Sequence, residues 1–521
     1  MKAEKTNKIS LDTLFAKLRF VYIAFYLSFI AVMELIPVCN VMNVTSLPSL
    51  IFNLIAISGG VLLFLDFVFR GVIFKPKYIS LMLLFFVTIV ISIVVNMKYG
   101  IADNLKTLVW SAIQIFLVAS VDYDLDKEMH KKHFKIIIDL IAAIWTLASL
   151  YSVGMFMLRY GAYVAIPGDS AAVRREGFMD GRLFGVFTDP NYAAIIAFTV
   201  ILIYIGFIIN SKNLTSKILR GIAAFINYIY IALSGSRTVE ICVYIAVLIA
   251  AFWLMWCFME KKGKNVILKI LLSIVSGGVS LILSYLIFTA SISALSYAPI
   301  LFDPISQNIK VEENAPVIEE SEIITEEETK EENTTHENIG ADMTRPELEN
   351  TTDITNNRLL IWSEYIRVFK VAWLTGTSPR TTIQYADEYF DNFFVVDWNY
   401  STHNAYLSLF VCTGLFGGLI AFSYLVLVVV EILGYLIRQR KNFNKNYITV
   451  LLLTLVLMGY AVCGFSYQII FFNNMFVTVF FWVLLGYTRA FIRFNEPERI
   501  NKPTLPFRLT EKLRNKIFKK A

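Results

Sequence analysis

Twelve long apolar runs divide this chain, at 18–40, 48–70, 79–97, 104–121, 134–157, 191–209, 217–234, 236–257, 264–290, 404–437, 446–463 and 468–491. A bilayer core about 30 Å thick takes about 20 residues of α-helix to cross, so the sequence predicts an all-α, polytopic membrane helix bundle of about 12 transmembrane helices. Composition agrees: 57% of residues are hydrophobic and the mean hydropathy is +0.61, more apolar side chains than a soluble surface can hide. The run at 404–437 exceeds one crossing and is expected to tilt or to kink at its glycines.

Lysine and arginine favour cytoplasmic segments. With the N-terminus inside, 33 of the 47 Lys and Arg fall on inner segments, so both termini are expected in the cytoplasm. Basic stretches at 260–265 and 438–446 and the tail at 492–521 then lie beside anionic lipid. The first run is long and lacks a small-residue cleavage site, which reads as an uncleaved helix rather than a signal peptide. The five cysteines, Cys39, Cys242, Cys257, Cys412 and Cys463, show no metal-ligand or disulfide spacing and read as packing residues.

This topology divides the chain into helices 1–9 over 1–290, with an outer loop at 158–190; a large outer loop over 291–403; helices 10–12 over 404–491; and the basic tail. Within the large loop, 310–350 is an acidic, low-complexity tract too poor in apolar residues to fold, and it reads as a disordered linker containing His336. It lacks the spaced carboxylates and turn glycine of a calcium loop. Residues 356–374 return to helical periodicity, with Leu359, Ile361, Trp362, Tyr365, Ile366, Val368 and Phe369 at steps of three and four, and predict an amphipathic helix on the outer membrane face.

Three polar clusters open helices that run inward from the outer face. In "GRLFGVFTDPNYAA" (181–194), Thr188 or Asp189 is the expected N-cap and Pro190 the first helical residue. In "LSGSRTVE" (233–240), Gly235 permits a tight turn and Arg237 enters the next helix. In "STHNAYLSLFVCTGLFGG" (401–418), His403 and Asn404 precede an apolar run; His130 and His133 fall instead in an inner loop. Helix N-termini with arginine nearby bind anions, and several together suit a diphosphate. Each residue alone also has a structural reading. Arg182 could rest on headgroups, Arg237 could pair with Glu240 one turn on, Arg358 could be a surface charge, Asp189 and Asn191 could be caps, and His403 could bond a loop carbonyl. Their convergence on one side favours a shared site.

In that order, "R.FG.FTDPN", "SGSRT", "R...W" (Arg358 to Trp362) and "HNAYL…TGLFGG" resemble the O-antigen ligase and polymerase superfamily of bacterial envelope proteins. The likeness is strongest over the fifth to tenth helices. Two features depart from it: the acidic tract lengthens the large loop, and "LTGTSPRTT" (374–382) replaces a glycine-rich segment. The resemblance implies transfer of a glycan from an undecaprenyl-diphosphate carrier to an acceptor hydroxyl outside the bacterial cell membrane, with no metal or other cofactor. It makes Arg237 and Arg358 diphosphate ligands, with Arg182 as a third candidate, and His403 the general base. Asn404, Asn191, Asp189 and Glu240 would support them. A departing diphosphate gains charge, which fixed guanidinium groups stabilise, and histidine titrates near working pH. Inversion is expected, because no protein nucleophile is apparent.

The outer segments contain no phosphate-binding Walker loop, HExxH or GxSxG motif, and the acidic pair in "YADEYF" (385–390) reads as loop solvation. Lysine exceeds arginine, 28 to 19, and Ile and Asn are plentiful, pointing to an AT-rich genome and a cell without an outer membrane. That favours a polymerase of capsule-type polysaccharide over a ligase, with a flippase and a chain-length regulator as further expected partners and no role for nucleic acid. A lipid-linked oligosaccharide transporter is the alternative from another class. It would place its charges near the midplane, whereas Glu34, Asp66, Asp139, Glu240 and Glu431 mostly fall near span ends.

Overall fold

A computed structural model describes residues 11–35, 47–120, 126–166, 169–303, 340–345, 357–496 and 504–518. Cys39, His336 and most of the acidic tract lie outside the described residues. Among the described residues, ten helices are long and apolar enough to cross a membrane. They are α1 (Leu11–Leu35), α2 (Leu47–Phe69), α5 (Lys127–Met157), α6 (Pro190–Asn210), α7 (Leu214–Leu233), α8 (Arg237–Lys261), α9 (Val266–Ser296), α13 (Ala405–Gln439), α14 (Lys445–Cys463) and α15 (Phe476–Asn495). The other two expected spans form shorter helices: α3 (Ile79–Val95), and α4 (Ala102–Ala112), which continues as a π-helix over Ile113–Val118. The chain is a multi-pass, helical membrane protein.

Side-chain composition sets each helix's depth in the bundle. Every residue of α15 from Phe476 to Ile492 is buried, as expected of a largely apolar helix surrounded by others. On α9 the buried residues are Ser273, Gly277 and Phe288, and its exposed Ile and Leu form a lipid-facing surface. Buried charges within the bundle form ion pairs at two places. Arg489 meets Glu431 at 3.2 Å, and Asp66 accepts from Arg19 at 2.9 Å and Arg70 at 3.3 Å.

Four expectations need correction. The segment 158–190 is not simply a loop: β1 (Gly161–Ile166), β2 (Asp169–Met179) and β3 (Arg182–Gly185) form an antiparallel sheet in sequence order. Asp180 and Gly181 both have positive φ, 52° and 66°, the geometry of a two-residue hairpin turn, which Asp-Gly favours. Second, α5 begins at Lys127, capped by Asp126, so His130 and His133 are helical and buried, with His133 stacked on Phe20 at 4.1 Å. Third, the run at 468–491 becomes helical only at Phe476. Residues 464–475 form a loop pinned by side chains, including Gln114 Nε2 donating to Asn473 O at 2.9 Å, and a helix cannot satisfy those bonds. Fourth, residues 340–345 of the acidic tract are packed: Ala341 N donates to Ser296 O at 2.7 Å and Arg345 reaches Gly235.

The large loop supplies α10 (Arg358–Val371), α11 (Thr382–Tyr389) and the short α12 (Phe394–Asp397). Ile361, Tyr365 and Val368 form the buried stripe of the amphipathic helix, packed with Val411 of α13. The basic tail forms α16 (Leu505–Phe518), held to the α2 end by Arg514 Nη1 donating to Phe69 O at 3.0 Å. In α13, Gly414 adopts φ 71°, ψ −177° and interrupts the helix. The break docks on the 373–378 segment: Leu415 N donates to Trp373 O at 2.7 Å, Thr377 N to Val411 O at 2.9 Å and Ser378 N to Cys412 O at 3.1 Å. Carbonyls that a continuous helix would satisfy are thereby satisfied from outside.

Candidate active site

The N-termini of α6, α8, α10 and α13 gather at one end of the bundle. Asp189 caps α6, accepting from Asn191 N at 2.6 Å, with Pro190 at the first helical position. Asn191 Oδ1 in turn accepts from Arg182 Nη2 at 2.7 Å. Arg182 also donates from Nε to Ser234 O at 3.0 Å, so it ties β3 to the turn before α8. Gly235 takes φ 61°, and a Cβ there would stand 3.1 Å from Arg182 Cγ. Arg182 is buried, its fork engaged with protein groups, and its charge lies inside the cluster.

Arg237, the first residue of α8, is exposed and forms no ion pair or hydrogen bond among the described residues. Glu240 is not its partner; it accepts from Tyr244 at 2.7 Å, further along the helix. The neighbouring Thr238 lies at the hydroxyl of Tyr467, as does Arg358. Arg358, the first residue of α10, sets its guanidinium 5.3 Å from the Tyr467 ring centre, and Tyr192 packs against the same ring at 5.4 Å with the planes tilted by 60°. Burial and the charge of Asp189 push the Tyr467 hydroxyl's pKa upward, against Arg358 and Thr238, which draw it down. Tyr467 therefore stays protonated and joins α6, α8 and α10 at the cluster's centre.

His403 stands beside this junction, half-buried, with φ 44° in the left-handed region that a residue with a side chain enters only when its surroundings hold it there. Two attachments hold it. On one side, Tyr365 Oη donates to Tyr400 O at 2.5 Å and Glu364 accepts from Val395 N at 2.9 Å, fixing the chain before His403 to α10. On the other, Asn404 caps α13 by accepting from Tyr406 N and Leu407 N, both at 3.0 Å, and Ala405 N donates to Gly464 O at 2.7 Å. The imidazole makes no hydrogen bond among the described residues. Burial, then the charge of Arg358, lower its pKa, with Asp189 opposing. A lowered value leaves the ring neutral at pH 7, able to accept a proton.

The structure thus brings together Asp189, Asn191, Arg182, Arg358, His403 and Asn404, with the backbone start of α8 at Arg237; Glu240 turns away to Tyr244. Sequence reasoning missed Tyr467, Arg345 and Glu34. Tyr467 lay in what read as the short turn between the last two spans, and Arg345 in what read as a linker. Glu34, weighed only as a charge within a span, accepts from Phe476 N at 2.6 Å at this same end. Among the described residues no group of three or more His, Cys, Asp or Glu side chains is arranged to hold a metal ion. The acidic pair at 387–388 lies apart, Glu388 meeting Lys98 at 2.6 Å on the surface.

Residues 222–422 match the family model described as O-antigen ligase. The matched segment runs from α7 past the break in α13 and includes Arg237, Arg345, Arg358, His403 and Asn404; Arg182, Asp189 and Asn191 precede it. No curated protein matches the chain. The match supports the O-antigen ligase and polymerase superfamily, and with it the general class of membrane glycan ligases and polymerases.

Proposed function

We propose that this membrane protein polymerises a surface polysaccharide, moving a glycan from an undecaprenyl-diphosphate carrier to an acceptor sugar hydroxyl outside the cell. The observation that carries the reading is the position of His403: a neutral imidazole, held in a strained backbone conformation, beside Arg358 and facing the same junction as three helix N-termini. His403 takes the proton of the acceptor hydroxyl as its oxygen bonds to the anomeric carbon. The bond from that carbon to the diphosphate breaks on the opposite face, so configuration inverts, and the electron pair leaves on the lipid diphosphate. Arg237 and Arg358 bind the departing group bidentately, and Arg182 adds its charge while fixing Asn191 and the Ser234–Gly235 turn. Because the diphosphate gains charge as the bond breaks, these cations lower the barrier more than they tighten ground-state binding.

A one-sided site favours transfer over transport. The acidic residues a transporter would use are engaged in local bonds: Asp66 with Arg19, Asp139 with Arg220 at 2.9 Å, Glu431 with Arg489, Glu34 with Phe476 N and Glu240 with Tyr244. The test is deletion of the gene followed by analysis of lipid-linked intermediates. Single repeat units accumulating on the carrier outside the cell fit a polymerase. Repeat units retained inside would identify a flippase, and finished polymer stranded on the carrier would identify a ligase.

A further inference from the structure

Ser236 occupies the N-cap position of α8 without capping it. A serine there ordinarily turns its hydroxyl onto the second or third amide of the helix. Here Ser236 Oγ is buried, at 4% exposure for the residue, with no hydrogen-bond partner among the described residues. Folded proteins seldom leave such a group uncompensated without a reason. The helix it precedes has 25 residues, and its first amides lack intrahelical acceptors.

The turn leading to Ser236 is held from two directions. Ser234 O accepts from Arg182 Nε and Gly235 O accepts from Arg345 Nη1, each at 3.0 Å, while Ser236 N donates to Ser234 Oγ at 3.3 Å. The two turn carbonyls are thus occupied by guanidinium groups from separate parts of the chain. What remains at the start of α8 is a set of donors: a hydroxyl, the first helical amides and the Arg237 side chain. A set of donors at the positive end of a helix dipole suits phosphate oxygens better than a sugar, which would also need acceptors.

We propose that Ser236 Oγ and the first amides of α8 cradle one phosphate of the donor's diphosphate, and that Arg345 is a positioning residue that, with Arg182, holds the Ser234–Gly235 turn so that they face it. The proposal deepens the glycan-transfer reading and rests on it for the identity of the donor. It also gives the large loop a direct role, since Arg345 belongs to that loop and the turn does not.

The full-length protein in lipid nanodiscs, with inorganic pyrophosphate as the probe, tests this. Ser236→Ala should weaken pyrophosphate binding and raise the KM for the lipid-linked donor about tenfold, the effect of one hydrogen bond to a charged group, with the acceptor KM unchanged. Without ligand its Tm should hold or rise, because the deleted hydroxyl has no partner to lose, whereas the Tm gain on adding pyrophosphate should shrink. Arg345→Gln should shift the same two quantities in the same direction, and Arg345→Lys, which can still donate to Gly235 O, should recover part of the loss. Wild-type pyrophosphate affinity in both Ser236→Ala and Arg345→Gln would overturn the proposal, as would a Tm loss in ligand-free Ser236→Ala. If the wild type binds pyrophosphate but transfers no glycan, the functional reading fails while the cradle is still decided by the binding data.

Discussion

Replacing Gly414 by alanine should disable the enzyme from a position that need not touch substrate. Its φ of 71° and ψ of −177° fall in a region essentially restricted to glycine, where another residue costs about 1–3 kcal/mol. A Cβ there would also overlap Leu374 O and stand 2.6 Å from Leu374 C and 2.9 Å from Thr375 N, all rigid backbone. Relief requires either straightening α13 or pushing the 373–378 segment away. Both break the bonds that Thr377 N and Ser378 N make to Val411 O and Cys412 O. Together these effects exceed about 3 kcal/mol, and each 1.4 kcal/mol is a factor of ten. The half-helix that moves, 405–413, begins two residues after His403. Transfer assayed on purified protein should therefore fall by about two orders of magnitude or more in kcat, with a lowered Tm. Gly221→Ala is the control, since its Cβ would meet nothing within 4 Å and alanine favours a helix interior; it should leave kcat unchanged. A Gly414→Ala protein with wild-type kcat and Tm would refute the claim that this break positions His403.

The lowered pKa of His403 fixes a pH dependence. A base must be deprotonated, so kcat/KM should be level at neutral pH and fall only as pH drops below the ordinary histidine value of about 6.5. Because Arg358 depresses that pKa and Asp189 opposes it, Arg358→Gln should move the acid limb of the residual activity to higher pH and Asp189→Asn to lower pH; limbs that do not move would contradict His403 as the base. Asn404→Ala removes an acceptor serving two amides and should cost about 0.5–2 kcal/mol of stability, whereas Asn404→Asp, which keeps the acceptor, should retain most of it in thermal unfolding. Arg489→Ala should destabilise by about 3–5 kcal/mol by leaving Glu431 buried without its partner. It should spare kcat in the protein that remains folded, since Arg489 lies 13 residues along α15 from Phe476, roughly 20 Å from the site. Deleting 310–339 should preserve transfer in cells, while a deletion extended through Arg345 should impair it.

The spans were legible because the bilayer imposes length and apolarity on each crossing, and Asp189–Pro190 was legible because capping is local chemistry. Convergence of the helix starts could be inferred from topology alone. Other features depended on distant partners. Asn473 lies in a stretch apolar enough to pass for a helix, with Tyr467 just before it, and the loop there depends on distant groups: Gln114 donates to Asn473 O, and Arg358 sits over the Tyr467 ring. Arg345 borders an acidic tract and gains meaning only from Gly235, 110 residues away. The Asp180–Gly181 turn was a local signal for a hairpin, passed over when 158–190 was read only as an outer loop.

The most direct measurement is a structure of the protein with an undecaprenyl-diphosphate-linked sugar bound. The account predicts phosphate oxygens within hydrogen-bonding distance of Arg237 and Arg358, and the exposed face of the anomeric carbon turned toward the His403 imidazole. A diphosphate bound elsewhere, or a sugar whose reacting carbon His403 cannot approach even through one water, would contradict it.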